Sequence, residues 1–418
     1  MSRIITFLFF ILLTLQAAET SSHALVFDRR PRPASELSYY VYPVAGSLPG
    51  VQDFGGAGVS VLGLGGSETD IALIHLTGAA DYFDNKDFEI TLFTLLDLPV
   101  IWENLNFSAF YIDISNGTWP EGERGIHSDP NSTYYLLGSK FLSKGGEVSV
   151  NFWDYQFEAY LGFMDNAVEP YGLIDPQGTR YDARDAHLNK YPRGYRWGLY
   201  LDDTDDRRDP RIGYRAQYER WNMPQTRNEN SAFFQQDYNF TGYIPADADH
   251  TKVWVLNYFE SSAHVTKEGE VDQSRFQCPP GAPAGCQAVL DELYRRQLEN
   301  ATMGKATALG GANRLRGYRT NRFYDAFSAF RGLEYRWYLM ETQEAFDYLV
   351  EKGVFAGLQI AFFLEQGTVA PTHEQLWAAK VESHGAAFRI ILNTVVVRFD
   401  VGFSEEGQQN TLFFGYPF

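Results

Sequence analysis

The residues best placed to do chemistry in this 418-residue sequence form one glycine-rich stretch, Leu309-Gly310-Gly311-Ala312-Asn313-Arg314-Leu315-Arg316-Gly317-Tyr318. Their chemistry is that of a charge clamp, not of bond making. A guanidinium taken out of water needs carboxylates around it, because an unpaired buried charge is strongly unfavourable. Its planar fork can bond two carboxylates at once, which lysine cannot copy. Gly310, Gly311 and Gly317 let such a loop turn tightly and lie against a wall. Glu334, Glu365 and Asp400 are the expected partners of Arg316.

No catalytic constellation accompanies the loop. There is no G-x-S-x-G elbow, phosphate-binding loop or H-E-x-x-H pair, and the 8 histidines are scattered. His373-Glu374 and the clustered loop aspartates read as solvated charge, so neither an enzyme nor a bound metal or cofactor is expected. A net charge of -18 excludes nucleic acid, whose phosphates want a basic surface. Cys278 and Cys286 are the only cysteines. They flank a Pro/Gly-rich spacer that can bend back on itself, so a disulfide is expected in an exported chain.

The elements that position the clamp are strands. Tyr195-Trp197-Leu199-Leu201 alternates with Arg196-Gly198-Tyr200-Asp202, and Ile212-Tyr214-Ala216-Tyr218 with Gly213-Arg215-Gln217-Glu219. A period of two with one apolar and one charged face argues against a helix and suits a wall with lipid on one side and a wet lumen on the other. The expected fold is all-β: a transmembrane antiparallel barrel of sixteen strands occupying 38–418. The strands are 38–46, 55–65, 69–80, 86–97, 102–113, 132–142, 146–163, 194–202, 211–221, 232–243, 251–265, 325–340, 352–366, 381–391, 394–404 and 410–418. The phase slips near Trp153, so 146–163 is either one bulged strand or two short ones.

Short turns alternate with long segments, of which 266–324, between the eleventh and twelfth strands, carries the clamp loop into the lumen. Within it Val289, Leu290, Leu293, Tyr294 and Leu298 recur at helical spacing. Residues 1–24 read as a signal peptide, cleaved after Ala24 or near Ala17, since the apolar run Ile4 to Leu15 is too short to span a bilayer. Residues 25–37 form a short lead-in. The last strand places Leu412, Phe414, Tyr416 and Phe418 on one face, like the terminal signal by which outer-membrane barrels are recognised for insertion. With 26 Tyr and 32 Phe available for girdles, the expected location is the outer membrane of a diderm bacterium.

Five spaced segments resemble, in order, the BamA-like bacterial surface antigen superfamily of outer-membrane insertases and two-partner-secretion translocases. They are Asp205-Asp206-Arg207-Arg208-Asp209-Pro210-Arg211-Ile212-Gly213, the loop with Arg316-Gly317-Tyr318, Glu334-Tyr335-Arg336, the strand around Glu365, and Val397-Arg398-Phe399-Asp400-Val401-Gly402. The resemblance covers Asp205 to Phe418; Glu365 stands where the family usually has Asp. It implies a clamp that either plugs the barrel or holds a gate between its first and last strands. It also implies membrane-protein insertion or translocation of polypeptide or lipid. The implied partners are outer-membrane lipid and lipopolysaccharide, together with unfolded outer-membrane protein clients or a separate periplasmic POTRA-bearing chain. The lead-in is too short for POTRA domains, so the rival expectation is a passive channel or structural barrel.

Overall fold

The computed structural model describes residues 37–48, 51–67, 69–79, 87–102, 104–182, 192–228, 230–278, 280–282, 284–342, 344, 346–348, 351–392 and 395–418. The expected signal peptide and nearly all of the lead-in lie outside the described residues. The wall begins with β1 (Ser38–Leu48), β2 (Val51–Leu62), β3 (Asp70–Ala79) and β4 (Asp87–Pro99). The longest strands follow: β5 (Leu105–Glu121), β6 (Tyr134–Phe152) and β7 (Phe157–Ile174). The short β8 (Arg180–Asp182) pairs on the end of β7. Next come β9 (Arg193–Thr204), β10 (Gly213–Met223), β11 (Ala232–Pro245), β12 (Lys252–Lys267) and β13 (Phe327–Glu341). After the small hairpin of β14 (Phe346–Tyr348) and β15 (Glu351–Val354), the wall ends with β16 (Ala356–Ala370), β17 (Val381–Leu392), β18 (Val395–Ser404) and β19 (Gly407–Phe414).

Among the described residues, setting aside β8, β14 and β15, sixteen of the nineteen strands make the wall, each antiparallel to the next in sequence. The long connections 122–133 and 268–326 lie at one end, the long-loop end, and the tight connections 100–104, 153–156 and 246–251 at the other, the short-turn end, together with the hairpin-bearing 342–355. The alternation is clearest on β12, where Trp254, Leu256 and Tyr258 are exposed on the outside while Val253, Val255, Asn257 and Phe259 are buried inside. Trp197, Leu199, Tyr238, Phe240, Phe362 and Leu364 extend the exposed apolar band around the outer wall. Water would not tolerate so wide an apolar surface; hydrocarbon would. The inner face holds ion pairs, such as Arg196 between Glu147 at 2.7 Å and Glu219 at 2.9 Å.

Three expectations are corrected. The stretch 146–163 divides into two strands where its phase slips, not into one bulged strand, but neither strand is short: Trp153, Asp154 and Tyr155 take left-handed φ of 53°, 54° and 60° and turn the chain, so its halves end β6 and begin β7. The expected strand 352–366 is the arm β15 of a separate hairpin followed by β16. The terminal strand stops at Phe414, where Gly415 at φ 87° breaks it. Leu412 stays on the outer face opposite Phe399 and Phe414 pairs with Val397, but Tyr416 turns inward, half-buried against the cluster of Tyr243, Val253 and Tyr338, and the ring of Phe418 lies against Phe330 at 6.1 Å. The four therefore share no outer face. Lumenal partners compete successfully for the last two aromatics.

The 268–326 segment covers the long-loop end. Its helix α1 (Cys286–Met303) buries Val289, Leu290 and Leu293 against Leu136, Leu173 and Tyr181. Arg296 ties the helix down by donating to the carbonyls of Glu121 (2.8 Å) and Ser132 (3.0 Å). Cys278 and Cys286 are disulfide-bonded at the helix start, with Cα atoms 6.1 Å apart.

Candidate functional site

The clamp loop enters the lumen as a narrow hairpin closed by Leu309 and Phe323, which exchange backbone hydrogen bonds of 2.8 and 3.0 Å. Gly310 and Gly311 adopt φ of 107° and 100°, and Gly311 N–H donates to the Tyr318 carbonyl at 3.1 Å. Leu309, Leu315, Tyr318 and Phe323 anchor the loop on Phe259, Phe330, Val369 and Val381 of the wall. At the tip the backbone lies directly on β18. A Cβ on Gly402 would fall 2.5 Å from the Arg316 carbonyl oxygen, and one on Gly317 would fall 2.5 Å from that of Phe403. Only glycine at both positions permits this approach.

That approach delivers Arg316, fully buried, to the acids of three strands. Its backbone N–H and its Nε donate to the two oxygens of Glu365, each at 2.7 Å. Nη1 lies 2.9 Å from Glu334 Oε2, an ion-pair distance without hydrogen-bond alignment, and 3.8 Å from Asp400 Oδ2. The guanidinium sits 3.6 Å from the centre of the Phe363 ring, a second stabilising contact for a desolvated cation. Ser383 Oγ donates to Glu365 at 2.8 Å. Glu334 also accepts from Arg336 at 2.8 Å and from Arg389 at 2.7 Å. Arg398 donates to Asp400 at 2.5 Å and to the loop carbonyl of Ala312 at 2.6 Å, so wall and loop hold each other.

Every expected clamp residue lies in this cluster. Sequence reading missed Arg389, although it shares the inward phase of Ser383, Gly385 and Ala387 on β17 and stands between outward Phe388 and Ile390. Following phase alone would have found it.

A second inward-folded segment occupies the short-turn end. The turn after β9 is organised by Asp205, whose Oδ1 accepts from the backbone N–H groups of Arg211 (2.8 Å) and Ile212 (3.0 Å). Arg211 lies over the Tyr338 ring at 3.8 Å and pairs with Glu341. Arg207 reaches Asp97 at 3.0 Å, and Arg208 reaches Asp70 at 2.9 Å. Asp209 accepts from Tyr338 (2.5 Å) and Tyr416 (2.6 Å), which fastens the inturned tail to this turn. Arg336 covers the Tyr416 ring at 4.2 Å while bonding Glu334, so the two inward segments are linked through one side chain.

No family model matches the sequence, and none of the curated proteins does. Solved structures do match. CdiB from Escherichia coli superposes with a TM-score of 0.53 at 9% identity, over 92% of this chain and 62% of that one. CdiB from Acinetobacter baumannii gives 0.48 at 10%, over 90% and 60%. BamA from Haemophilus ducreyi lacking POTRA domains 1-3 gives 0.47 at 12%, over 91% and 69%. The chain thus spans about three-fifths of the CdiB chains. The antiparallel barrel fold that the sequence resemblance implied is the fold this chain shares with CdiB.

Proposed function

We propose that this chain is an outer-membrane barrel that acts at its wall, assisting insertion or translocation of extended polypeptide or of lipid, rather than conducting solutes through its lumen. The observation that carries this reading is the combination of an occupied interior and an incomplete wall. The clamp loop fills the lumen from one end and the turn 205–212 with the inturned tail fills it from the other. Meanwhile, among the described residues, β19 bonds only to β18, and β1 makes no bond to β19. A strand edge left unpaired is a template for another chain. β19 has 8 residues, fewer than the roughly 9–11 a tilted strand needs to cross a bilayer, so the wall is weakest at this seam. The apolar outer band would sit in the outer membrane, with the short turns in the periplasm and the disulfide-bearing loop outside.

The passive channel is the poorer reading, because two inward segments would have to leave for a pore to open. Among the described residues no set favours an enzymatic reading over the wall-acting one. Two assays on the purified chain in proteoliposomes discriminate. Under the proposed function, an unfolded outer-membrane barrel client acquires its heat-modifiable gel mobility at least tenfold faster than in empty vesicles, and small-sugar uptake stays at background. Rapid sugar uptake without acceleration of client folding would reverse the choice.

A further inference from the structure

The edge of β1 that a closed sixteen-strand wall would offer to β19 is not empty throughout. At the short-turn end it is taken by β15, with Tyr39 opposite Lys352. This strand comes from the hairpin between β13 and β16, so β17, β18 and β19 of the wall lie between the hairpin's root and the edge it occupies. The hairpin is braced for the reach. Thr342 N–H donates to the Ala356 carbonyl at 2.9 Å, Ala356 N–H donates to Thr342 Oγ1 at 2.9 Å, and Gly353 N–H donates to Asp347 Oδ1 at 2.8 Å. Val354 is buried in one apolar cluster with the inward rings of Tyr40 and Tyr42 on β1. Gly353, at φ 66°, brings the hairpin backbone against β1: a Cβ there would lie 3.5 Å from that of Ser38.

A three- or four-residue strand that served only as a turn would have no reason to bury a valine in a distant strand's cluster. We propose that the β14–β15 hairpin is a latch on the seam: it donates β15 to the edge of β1 away from β2, holds the short-turn end of the wall shut, and must be displaced before another segment pairs there. Only the final clause rests on the function proposed above. The latch itself rests on the pairing and on Val354.

The test is amide hydrogen exchange of the full chain in lipid nanodiscs, read on the peptide Leu37–Tyr42 with the clamp peptide Leu309–Tyr318 as internal control. Val354→Asp, or replacement of Phe346–Val354 by two glycines, is expected to speed exchange of the β1 peptide at least tenfold and to leave the clamp peptide unchanged. In parallel, the pair Tyr39→Cys with Lys352→Cys should form a disulfide on mild oxidation in membranes, alongside the native Cys278–Cys286 bond. β1 exchange within twofold of wild type in both hairpin variants, or a folded double-cysteine chain that does not cross-link, would overturn the latch. If the hairpin variants lose heat-modifiable folding, the cysteine pair decides alone. An extended peptide of alternating apolar residues should bind the latch-free chain more tightly than wild type. Accelerated exchange without such binding keeps the latch and counts against the wall-acting function.

Discussion

Removing the guanidinium of the clamp, Arg316→Ala, isolates its contribution because the backbone N–H at 316 can still bond Glu365. The substitution deletes the 2.7 Å Nε contact to Glu365, the 2.9 Å contact to Glu334 and the cation over Phe363. Breaking a fully buried pair by removing one partner costs about 3–5 kcal/mol, since the other charge stays buried and uncompensated. Here the low end applies. Glu334 keeps Arg336 and Arg389, Glu365 keeps Ser383, and the buried set of Arg316, Arg336, Arg389 and Arg398 outnumbers Glu334, Glu365 and Asp400, so the variant leaves no net charge deficit. A loss of about 3 kcal/mol raises the population with the loop withdrawn by roughly a hundredfold, at 1.4 kcal/mol per tenfold. Proteolysis tracks that population when opening is fast relative to cleavage. Trypsin has targets in the loop at Arg314, Arg319 and Arg322, all retained in the variant. The expected outcome is loop cleavage about a hundredfold faster in the detergent-folded barrel, with Arg316→Lys intermediate because it keeps charge but not the fork. Cleavage within twofold of wild type would refute the clamp as the tie between loop and wall.

Other perturbations separate shape from charge. Gly402→Val puts a side chain where the Arg316 carbonyl lies 2.5 Å from the Cβ position; it should expose the loop to trypsin with every clamp charge intact, and an unchanged digest would show that the close approach is dispensable. Tyr416→Phe removes one hydrogen bond to the Asp209 carboxylate, worth about 1.5–3 kcal/mol; the tail should become roughly ten- to a hundredfold more susceptible to carboxypeptidase while the loop stays resistant. Replacing both Cys278 and Cys286 by Ser should loosen the start of α1 by about 2–3 kcal/mol, seen as faster amide exchange there, and leave heat modifiability of the barrel untouched. Glu292 sits below its ordinary 4.5 chiefly because Arg295 bonds it. A depressed carboxyl contributes stability that is complete above the ordinary value and lost as pH falls through the folded one. Exchange protection of α1, corrected for intrinsic rates, should therefore hold from pH 8 to 5 and decline only below about pH 4.5; a decline near neutrality would mean that another group holds the helix.

Much of the fold was legible because its dominant constraint is local. A strand between lipid and a wet interior must alternate residue by residue, and the alternation that puts Trp197 and Leu199 outside and Arg196 inside is readable without knowing any neighbour. The same phase placed Glu334, Glu365 and Asp400 inward, and would have placed Arg389. Alternation cannot be followed through a turn made of ordinary residues, so the slip at Trp153–Tyr155, without glycine or proline, marked the break but did not tell a bulge from the turn between β6 and β7.

What the chain's own residues determined, then, is the period, the inward set of charges and the loop that carries Arg316. Tertiary structure alone decided which arginine meets which acid, that Tyr416 and Phe418 leave the wall for Asp209 and Phe330, and that β15 lies on β1. These contacts cross the lumen or the seam between residues far apart in sequence, so they depend on strand register and on the curvature of the whole sheet, and neither quantity is written in any single strand.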